Sequence, residues 1–365
     1  MTKNGEFLML VAMLISIATA NGANPNSYFA HSRYQNGPVY DFEDDFNGIP
    51  EDSSEEVLTH NTKILNFVLR HKASRSSLYF PAKTFNFRTG IYGRDITDFN
   101  WFIDGTIRFH YSNKTDTQPC ILIEDSKNIL ITSSVPFKEL SGSKGSSREE
   151  QVDYGYGASK RGIIDGRGSD YWAIPLIGYL QYGERRPILM EMNNNSNTII
   201  EYLIFRDAAL YTMHLRSMLN LEIRYTSIVA RRTHSDGHGL YDLSAFNTDG
   251  IAVSGKGAFV HDIDIWNQDD CIAVKDGSSN MIFERIHASG LGLAIGSIGG
   301  STVSNITFRD SFLFRSYKGI YMKFRVDESP GIIKDILFSN ITIFEPEQWA
   351  IWIGKCILSF QEIRV

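Results

Sequence analysis

The chain has 365 residues, of which 42% are hydrophobic and 21% charged, with a formal net charge of −6. That length fits two ordinary domains or one elongated repeat domain, and the composition is that of a folded chain rather than a disordered one. The mild acidity and the lack of any Lys/Arg run argue against a nucleic-acid binder, while leaving room for an anionic substrate held by a few well-placed cations. Gly is plentiful at 30 residues, Pro is scarce at 10, and Phe and Tyr are common, a mixture that favours strands and tight turns over helices.

The first 20 residues read as a secretory signal: Lys3 supplies the positive start, Phe7 to Ile17 is an almost unbroken apolar run, and Ala18-Thr19-Ala20 fits the small-x-small cleavage rule. The run is shorter than the ~20 residues a bilayer-spanning helix needs, and no other segment offers a span, so no membrane association is expected. Secretion allows one disulfide and one spare thiol among Cys120, Cys271 and Cys356, and the sequence leaves the pairing open. Four sequons begin at Asn113, Asn194, Asn305 and Asn340 and are candidate glycan acceptors.

Residues 21–56 are polar and are expected to form a loose N-terminal segment; residues 57–365 are expected to form a single domain. A short helix is predicted around Glu55 to Leu69, with Val57, Ile64, Leu65 and Val68 on one face. Such a helix suits the open end of a solenoid, whose terminal unit must cover exposed core. From Asn197 a weak repeat follows in the segments Asn197–Phe205, Leu219–Ile228, Ala258–Trp266, Asn280–His287, Ser304–Phe312 and Lys334–Ile343. Each alternates apolar and polar residues, and Phe283, Phe308 and Phe338 recur at equivalent places, the mark of a solenoid. Short strands with Gly- and Asn-rich corners and no helical pattern between them favour an all-β parallel β-helix. The rival is an antiparallel sandwich, against which stands the scarcity of two-residue hairpin turns. In a β-helix, equivalent residues of successive coils lie about 4.8 Å apart, so a row of side chains on one face makes a groove suited to a polymer.

The informative stretches are "NTDGIAVSG" at 247–255 and "NQDDCIAVKDG" at 267–277. Asp249 precedes Asp269 and Asp270 by about one short coil, so the three carboxylates are expected to cluster on adjacent coils. Crowding raises at least one carboxyl pKa, which lets one group stay protonated as a general acid while another acts as base. An inverting glycosidase needs such a pair, held ~6.5–9.5 Å apart to admit a water. Two plainer readings compete: Asx residues in ordinary turns, and a calcium site built of clustered carboxylates. His234 and His238 in "RTHSDGHGL" have helical spacing, but the Gly, Ser and Asp around them suggest a loop rather than a metal site. Asp165 sits in a "DG" turn and reads as structural. Gly296, Ser297 and Gly299 read as a tight corner of a coil, since no phosphate-loop Lys-Ser/Thr follows.

Several motifs in order, "GIIDGRGSDYW" at 162–172, "RPILMEM" at 186–192, "IFRDAALYTMHL" at 204–215, "NTDG" at 247–250 and "NQDDCIAVKDG", resemble the polygalacturonase family of pectin-degrading hydrolases, glycoside hydrolase family 28. The resemblance runs from about Tyr92 to Gly354. It implies a right-handed parallel β-helix, a pectic polymer as substrate, and hydrolysis with inversion and without a metal or other cofactor. By position it implies that Asp269 is the general acid and that Asp249 and Asp270 activate the attacking water. Lys323, Tyr321, Asn247 and Gln268 are then expected at the substrate. The chain is further expected to act as a monomer.

Two places depart from the family pattern. In "SGLGLAIGSIG", Leu291 stands where the family's Gly-His-Gly motif has histidine, and in "GIYMKF", Tyr321 stands where its Arg-Ile-Lys motif has arginine. Leucine cannot hydrogen-bond to an acid, and a phenol cannot form the bidentate pair with a carboxylate that a guanidinium forms. Rhamnogalacturonan-cleaving relatives resemble this variant pattern more closely, which keeps a rhamnogalacturonan-type hydrolase as the alternative substrate class. A non-catalytic carbohydrate-binding relative and a calcium-dependent lyase on the same fold are the other readings. The final "GKCILSFQEIRV" follows closely on the last recognisable coil; unless that tail caps it, apolar core and unpaired strand edges are expected to be exposed there.

Overall fold

The computed structural model describes residues 37–110, 118–134, 162–172, 186–231, 245–325 and 330–355. The expected signal segment, Asn113, His234, His238 and Cys356 lie outside those residues. In chain order the elements are β1 (Val39–Asp41), α1 (Glu55–His71), β2 (Ser76–Phe80), β3 (Thr84–Arg88), β4 (Ile91–Arg94), β5 (Thr97–Ile103), β6 (Thr106–His110), β7 (Ile121–Glu124), β8 (Lys127–Thr132) and β9 (Gly162–Asp165). There follow β10 (Met190–Asn193), β11 (Ser196–Glu201), β12 (Leu203–Arg206), β13 (Met213–Val229), β14 (Ile251–Trp266), β15 (Asp270–Val274), β16 (Ser279–Ser289), β17 (Gly292–Ile298), β18 (Thr302–Phe314), β19 (Ile320–Phe324), β20 (Ile332–Phe344) and β21 (Ile351–Lys355).

All the pairings between these strands are parallel, and they sort into three faces of a β-helix. The first face stacks β1, β2, β5, β8 and β11 and then the leading or middle parts of β13, β14, β16, β18 and β20. The second begins β3, β6, β9, β12, and the third runs β4, β7, β10, β13, β14, β15, β17, β19, β21. The right-handed sense is the one that twisted strands impose on parallel crossovers. The period-2 alternation read in the sequence is the inside–outside alternation of these strands.

One inward column shows why the sequence stacks in this register. Leu78, Trp101, Ile131, Ile200, Ile223, Val260, Phe283 and Phe308 occupy equivalent places in successive coils and are buried. Phe283 and Phe308 stack at 4.6 Å and Phe308 and Phe338 at 4.9 Å between ring centroids, so the phenylalanine repeat is a continuous aromatic pile. A one-residue slip in any coil would turn its whole inward set to solvent. The corners are held by a second ladder. Asp98, Asn128, Asn197, Asn220, Asn280 and Asn305 all have positive φ, which Asn and Asp tolerate better than other side chains. Their side chains bond coil to coil, from Asn128 to Asp98 at 2.6 Å, Asn197 to Asn128 at 3.0 Å and Asn220 to Asn197 at 3.1 Å.

The predicted helix is present and runs two residues further, to His71. Ser54 caps it, Glu55 and Glu56 sit in its first turn, and Arg70 and His71 in its last, each matching the helix dipole. Val57, Leu58, Leu65, Val68 and Leu69 are buried against the first coils, whereas Ile64 is only partly so. The polar segment expected to be a loose lead-in contributes a strand instead: β1 pairs with β2, and Phe42 is fully buried, stacked on Phe80 at 4.4 Å. Its acidic residues hid this, because only one short apolar cluster in the segment is needed to close the coil. The coils likewise begin well before Asn197. At the other end, Ile332, Leu337, Phe344, Trp349, Ile351 and Ile353 of the last described coil are exposed.

The three sequon asparagines within the described residues, Asn194, Asn305 and Asn340, lie at corners with positive φ and donate through Nδ2 to Asp125, Asn280 and Asp310. Cys120 and Cys271 are both buried, and no disulfide joins them. Replacing Phe308 with Ala should remove about 3–5 kcal/mol of stability, since the pile has neighbours above and below that cannot collapse into the gap. Denaturant unfolding of the variant against the parent measures this, and a loss below about 1 kcal/mol would contradict the role given to the stack.

Candidate active site

The third face carries the site. On it, Ile251, Ile272, Leu293 and Ile320 are register partners in four successive coils. Asp249 lies two residues before Ile251 and Asp270 two residues before Ile272, so they hold the same place in adjacent coils, about one strand spacing apart. Asp269 stands beside Asp270. All three are buried, at 2%, 5% and 1% exposure for Asp249, Asp269 and Asp270, and an oxygen of each lies within 4.8 Å of one of each other. The clustering expected from the spacing is therefore present. It is tighter at its nearest oxygens than the ~6.5–9.5 Å separation expected of an inverting pair.

Backbone geometry fixes the pair of aspartates. The Asp269 carboxylate accepts the N–H of Asn247 at 3.0 Å and of Asp270 at 2.7 Å. Asn267, fully buried, donates through Nδ2 to the carbonyls of Thr248 and Asp270, tying the two motifs together, and accepts the Cys271 thiol at 3.5 Å. The Gln268 N–H donates to Thr248 Oγ1 at 3.0 Å, and Gln268 is itself buried. Arg231 reaches this loop through the Asn267 carbonyl, with its guanidinium 5.2 Å from the Trp266 ring. Gly290 has to be glycine, since a Cβ there would lie 2.0 Å from Asn267 Oδ1. Asn247, expected at the substrate, thus serves the site through its backbone.

Two lysines answer the three carboxylates. Lys323 Nζ is 2.6 Å from Asp270 Oδ2, and Lys275 Nζ is 3.5 Å from Asp249 Oδ2. Lys323 is three residues past Ile320 and Lys275 three past Ile272, so both rise from the far rim of the face and reach back over it. Burial works against the Lys323 charge, but the carboxylates of Asp270 and Asp269 outweigh it and hold its pKa far above the ordinary lysine value. Burial and the neighbouring Asp269 charge push the Asp249 carboxyl well above the usual carboxylate range, against the pull of Lys275. Burial and Asp270 raise Asp269, against Lys323 and two backbone N–H donors. The second oxygen of Asp270, Oδ1, is buried with no hydrogen-bond partner among the described residues. A cation bound among these carboxylates would have to compete with two ammonium groups already there.

Between the acidic row and the lysines runs a strip of small residues. His214, Ala252, Ala273, Ala294, Tyr321 and Trp352 are successive register partners pointing away from the core. Tyr211 packs on the alanines, with its ring 5.2 Å from His214 and 5.7 Å from the Lys275 ammonium. The charge of Asp249, then burial, raises the Tyr211 phenol, while burial, with Arg216 and Lys275, lowers His214 to about 4. The tyrosine at 321, expected to contact substrate, meets Trp352 edge-on at 4.9 Å and lies under the Lys323 ammonium at 4.6 Å. The Leu291 side chain offers Asp269 no hydrogen bond. The Leu291 N–H donates to the Asp269 carbonyl at 2.7 Å, so the backbone there still braces the aspartate.

Gly296 and Ser297 are not a corner but lie inside β17, at a register irregularity between Ile295 and Ile298. The physical reason is crowding: a Cβ on Gly296, whose φ is +134°, would lie 2.4 Å from the Lys323 carbonyl and 2.6 Å from its Cγ. The glycine makes way for Lys323. Asp165 is structural, taking Arg206 at 2.6 Å and Arg108 at 3.0 Å on the second face. Lys275, Asn267, Arg231 and Tyr211 were not singled out in the sequence. Lys275 and Asn267 lie inside the "NQDDCIAVKDG" stretch, but a lone Lys or Asn carries no signal of its partner across a coil.

The match to known proteins agrees with this geometry. The family model for "Glycosyl hydrolases family 28" matches residues 124–355. A "Probable endopolygalacturonase I" of Aspergillus terreus is 30% identical over 189 residues, covering 51% of this chain and 48% of that protein. A "Probable rhamnogalacturonase C" of Aspergillus flavus is 28% identical over 191 residues, covering 52% and 38%. The chain thus spans about half the length, or less, of these relatives. The crystal structure of endo-xylogalacturonan hydrolase from Aspergillus tubingensis is similar with a TM-score of 0.66 at 19% identity, covering 87% of this chain and 77% of that one. The exopolygalacturonase of Thermotoga maritima is similar with a TM-score of 0.60 at 15% identity, covering 91% and 79%. These likenesses bear on the fold, while the family match takes in β8 to β21 and every aspartate and lysine of the site; the chain belongs to glycosyl hydrolases family 28.

Proposed function

We propose that the chain hydrolyses glycosidic bonds of a pectic polysaccharide, with Asp269 as general acid and Asp249 and Asp270 positioning and activating the attacking water. The observation that carries this is the buried triad with its charges divided between roles. Asp249 and Asp269 are raised together by burial and by repulsion from the neighbouring carboxylates, which favours a protonated carboxyl in this cluster. Asp270 faces the Lys323 ammonium through Oδ2, and its buried Oδ1 is an acceptor for a water proton. In the reaction the acid protonates the leaving glycosidic oxygen, water attacks the anomeric carbon, and its proton passes to a carboxylate. Inversion is the outcome proposed, with the attacking water held between carboxylates.

The lysines and the name of the Aspergillus terreus relative favour a polygalacturonase-type substrate. A rhamnogalacturonan-type substrate is the second reading, favoured by Leu291, Tyr321 and the name of the Aspergillus flavus relative. We also propose that the protein is secreted by its N-terminal leader and acts as a monomer. Among the described residues, no helix is long and apolar enough to cross a membrane.

Asp269→Asn should lower turnover of de-esterified homogalacturonan by at least about 10²-fold while thermal unfolding stays cooperative; near-parental reducing-sugar release would remove Asp269 from the acid role. A parent enzyme that binds the polymer yet releases no reducing sugar at any pH would instead identify a binding protein. Asp249 gives a separate test through stability. A carboxyl whose folded pKa lies above its unfolded value of about 3.9 contributes stability at low pH that is lost as pH rises through the folded value. Asp249→Asn should therefore melt higher than the parent at pH 7, with the gap closing toward pH 4. A gap that does not widen as pH rises from 4 to 7 would contradict the buried, raised carboxyl.

A further inference from the structure

Resting on the glycosidase reading above, we infer that Tyr211 and His214 form an uncharged subsite that binds hydroxyl groups of the sugar next to the scissile bond, on the N-terminal side of Asp249.

The first argument is position. The Thr212 N–H donates to the Asp249 carbonyl at 2.8 Å, and the Gly250 N–H donates to the Asp270 carbonyl at 2.9 Å. Tyr211, Asp249 and Asp270 therefore hold one place in three successive coils, each two residues before the paired Met213, Ile251 and Ile272. His214, Ala252 and Ala273 are partners in the same three coils and point away from the core. Tyr211 and His214 thus share the level one coil before Asp249, a strand spacing of ~4.8 Å away. A polymer laid along the axis with its scissile bond at the aspartates puts a neighbouring sugar at that level.

The second argument is the hydrogen bonding these side chains leave open. His214 Nδ1 is buried with no hydrogen-bond partner, and the register neighbour Glu191 is taken by Arg216 and Asn193. With its pKa lowered to about 4 by burial and by Arg216 and Lys275, the ring is neutral at neutral pH and has one donor and one acceptor nitrogen. A buried N–H without a partner is the rarer orphan, which assigns the proton to Nε2 and gives the part-exposed ring a donor to offer. The Tyr211 hydroxyl makes no hydrogen bond among the described residues. Its ring is nonetheless fixed, by packing on the alanines, by His214 edge-on at 5.2 Å and by the Lys275 ammonium at 5.7 Å.

The third argument is charge. Arg216 and Lys275, the cations that act on His214, are each paired, with Glu191 and Asp249. A carboxylate is read by a cation, best by a guanidinium. A sugar hydroxyl is both donor and acceptor, and a neutral imidazole and a phenol match it without bringing charge. The pair therefore reads hydroxyls, whatever the state of the carboxyl on the same ring.

Binding is measured calorimetrically on the full chain in the Asp269→Asn background, where turnover is blocked, with a de-esterified oligogalacturonate and its full methyl ester as probes. Tyr211→Phe keeps the ring on the alanines and removes only the hydroxyl. It should weaken both probes by about three- to tenfold, the worth of one neutral hydrogen bond. His214→Phe should do the same, and His214→Gln, an uncharged side chain that keeps an N–H donor, should recover most of the loss. A merely structural pair would shift the melting temperature and leave affinity alone, so unchanged affinity in either Phe variant overturns the subsite. A loss confined to the acid probe also overturns it, since the pair would then be reading a carboxylate. Failure of both probes to bind overturns it too. Hydrolysis by the parent enzyme is scored apart. Binding that depends on Tyr211 and His214 without cleavage sinks the glycosidase reading and leaves the subsite as assigned, whereas cleavage with affinities indifferent to both residues does the reverse.

Discussion

The in-register stacking of parallel coils is the constraint on which the rest depends. Asp249 and Asp270 are 21 residues apart, and so are their neighbours Ile251 and Ile272, which are hydrogen-bonded partners on the third face. The two carboxylates are close because one coil has that length, and they stay close because the inward isoleucines cannot slip without exposing themselves. A carboxylate cluster that would fly apart on a flexible loop is held by backbone hydrogen bonds that have nothing to do with charge.

Holding like charges together in a dry place is costly, and the site shows how the cost is offset. Lys323 and Lys275 each take one aspartate, and Asp269 draws on two backbone N–H groups. Burial and repulsion still dominate at Asp249 and Asp269, which is the condition for one carboxyl to keep its proton. The same crowding is what the proposed division into acid and base requires. Such strain is tolerated because the surrounding coils are over-determined: the aromatic pile, the asparagine ladder and the alanine strip each fix the register independently.

The strip of alanines is a small buried cluster on which Tyr211, Tyr321 and Trp352 pack. Ala252, Ala273 and Ala294 stand in line, with His214 before them and Tyr321 and Trp352 after. Small residues hold the centre of this row and two large aromatic ones its C-terminal end. Tyr321 also shows how a side chain can lose one role and take another: it carries no charge, yet it gathers two lysines on its ring.

By itself the sequence determined the solenoid, through its period-2 alternation and recurring phenylalanines, and it determined the cluster of three aspartates, because a spacing close to one coil is visible in a linear chain. It also showed the absence of the histidine and arginine at 291 and 321. It missed the strand at Val39–Asp41, where three residues are too few to show a period, and it read Gly296 and Ser297 as a corner, since a bulge inside a strand looks like a turn in one dimension. Only the tertiary structure decided which charges meet. Lys323 is 53 residues from Asp270, Lys275 is 26 from Asp249, and Lys318 shares a ring with Lys323 by virtue of Tyr321 lying between them. Periodicity sets which residues face outward, but the reach of a long side chain across a face, and the backbone crowding that lets it through, depend on neighbours a whole coil away.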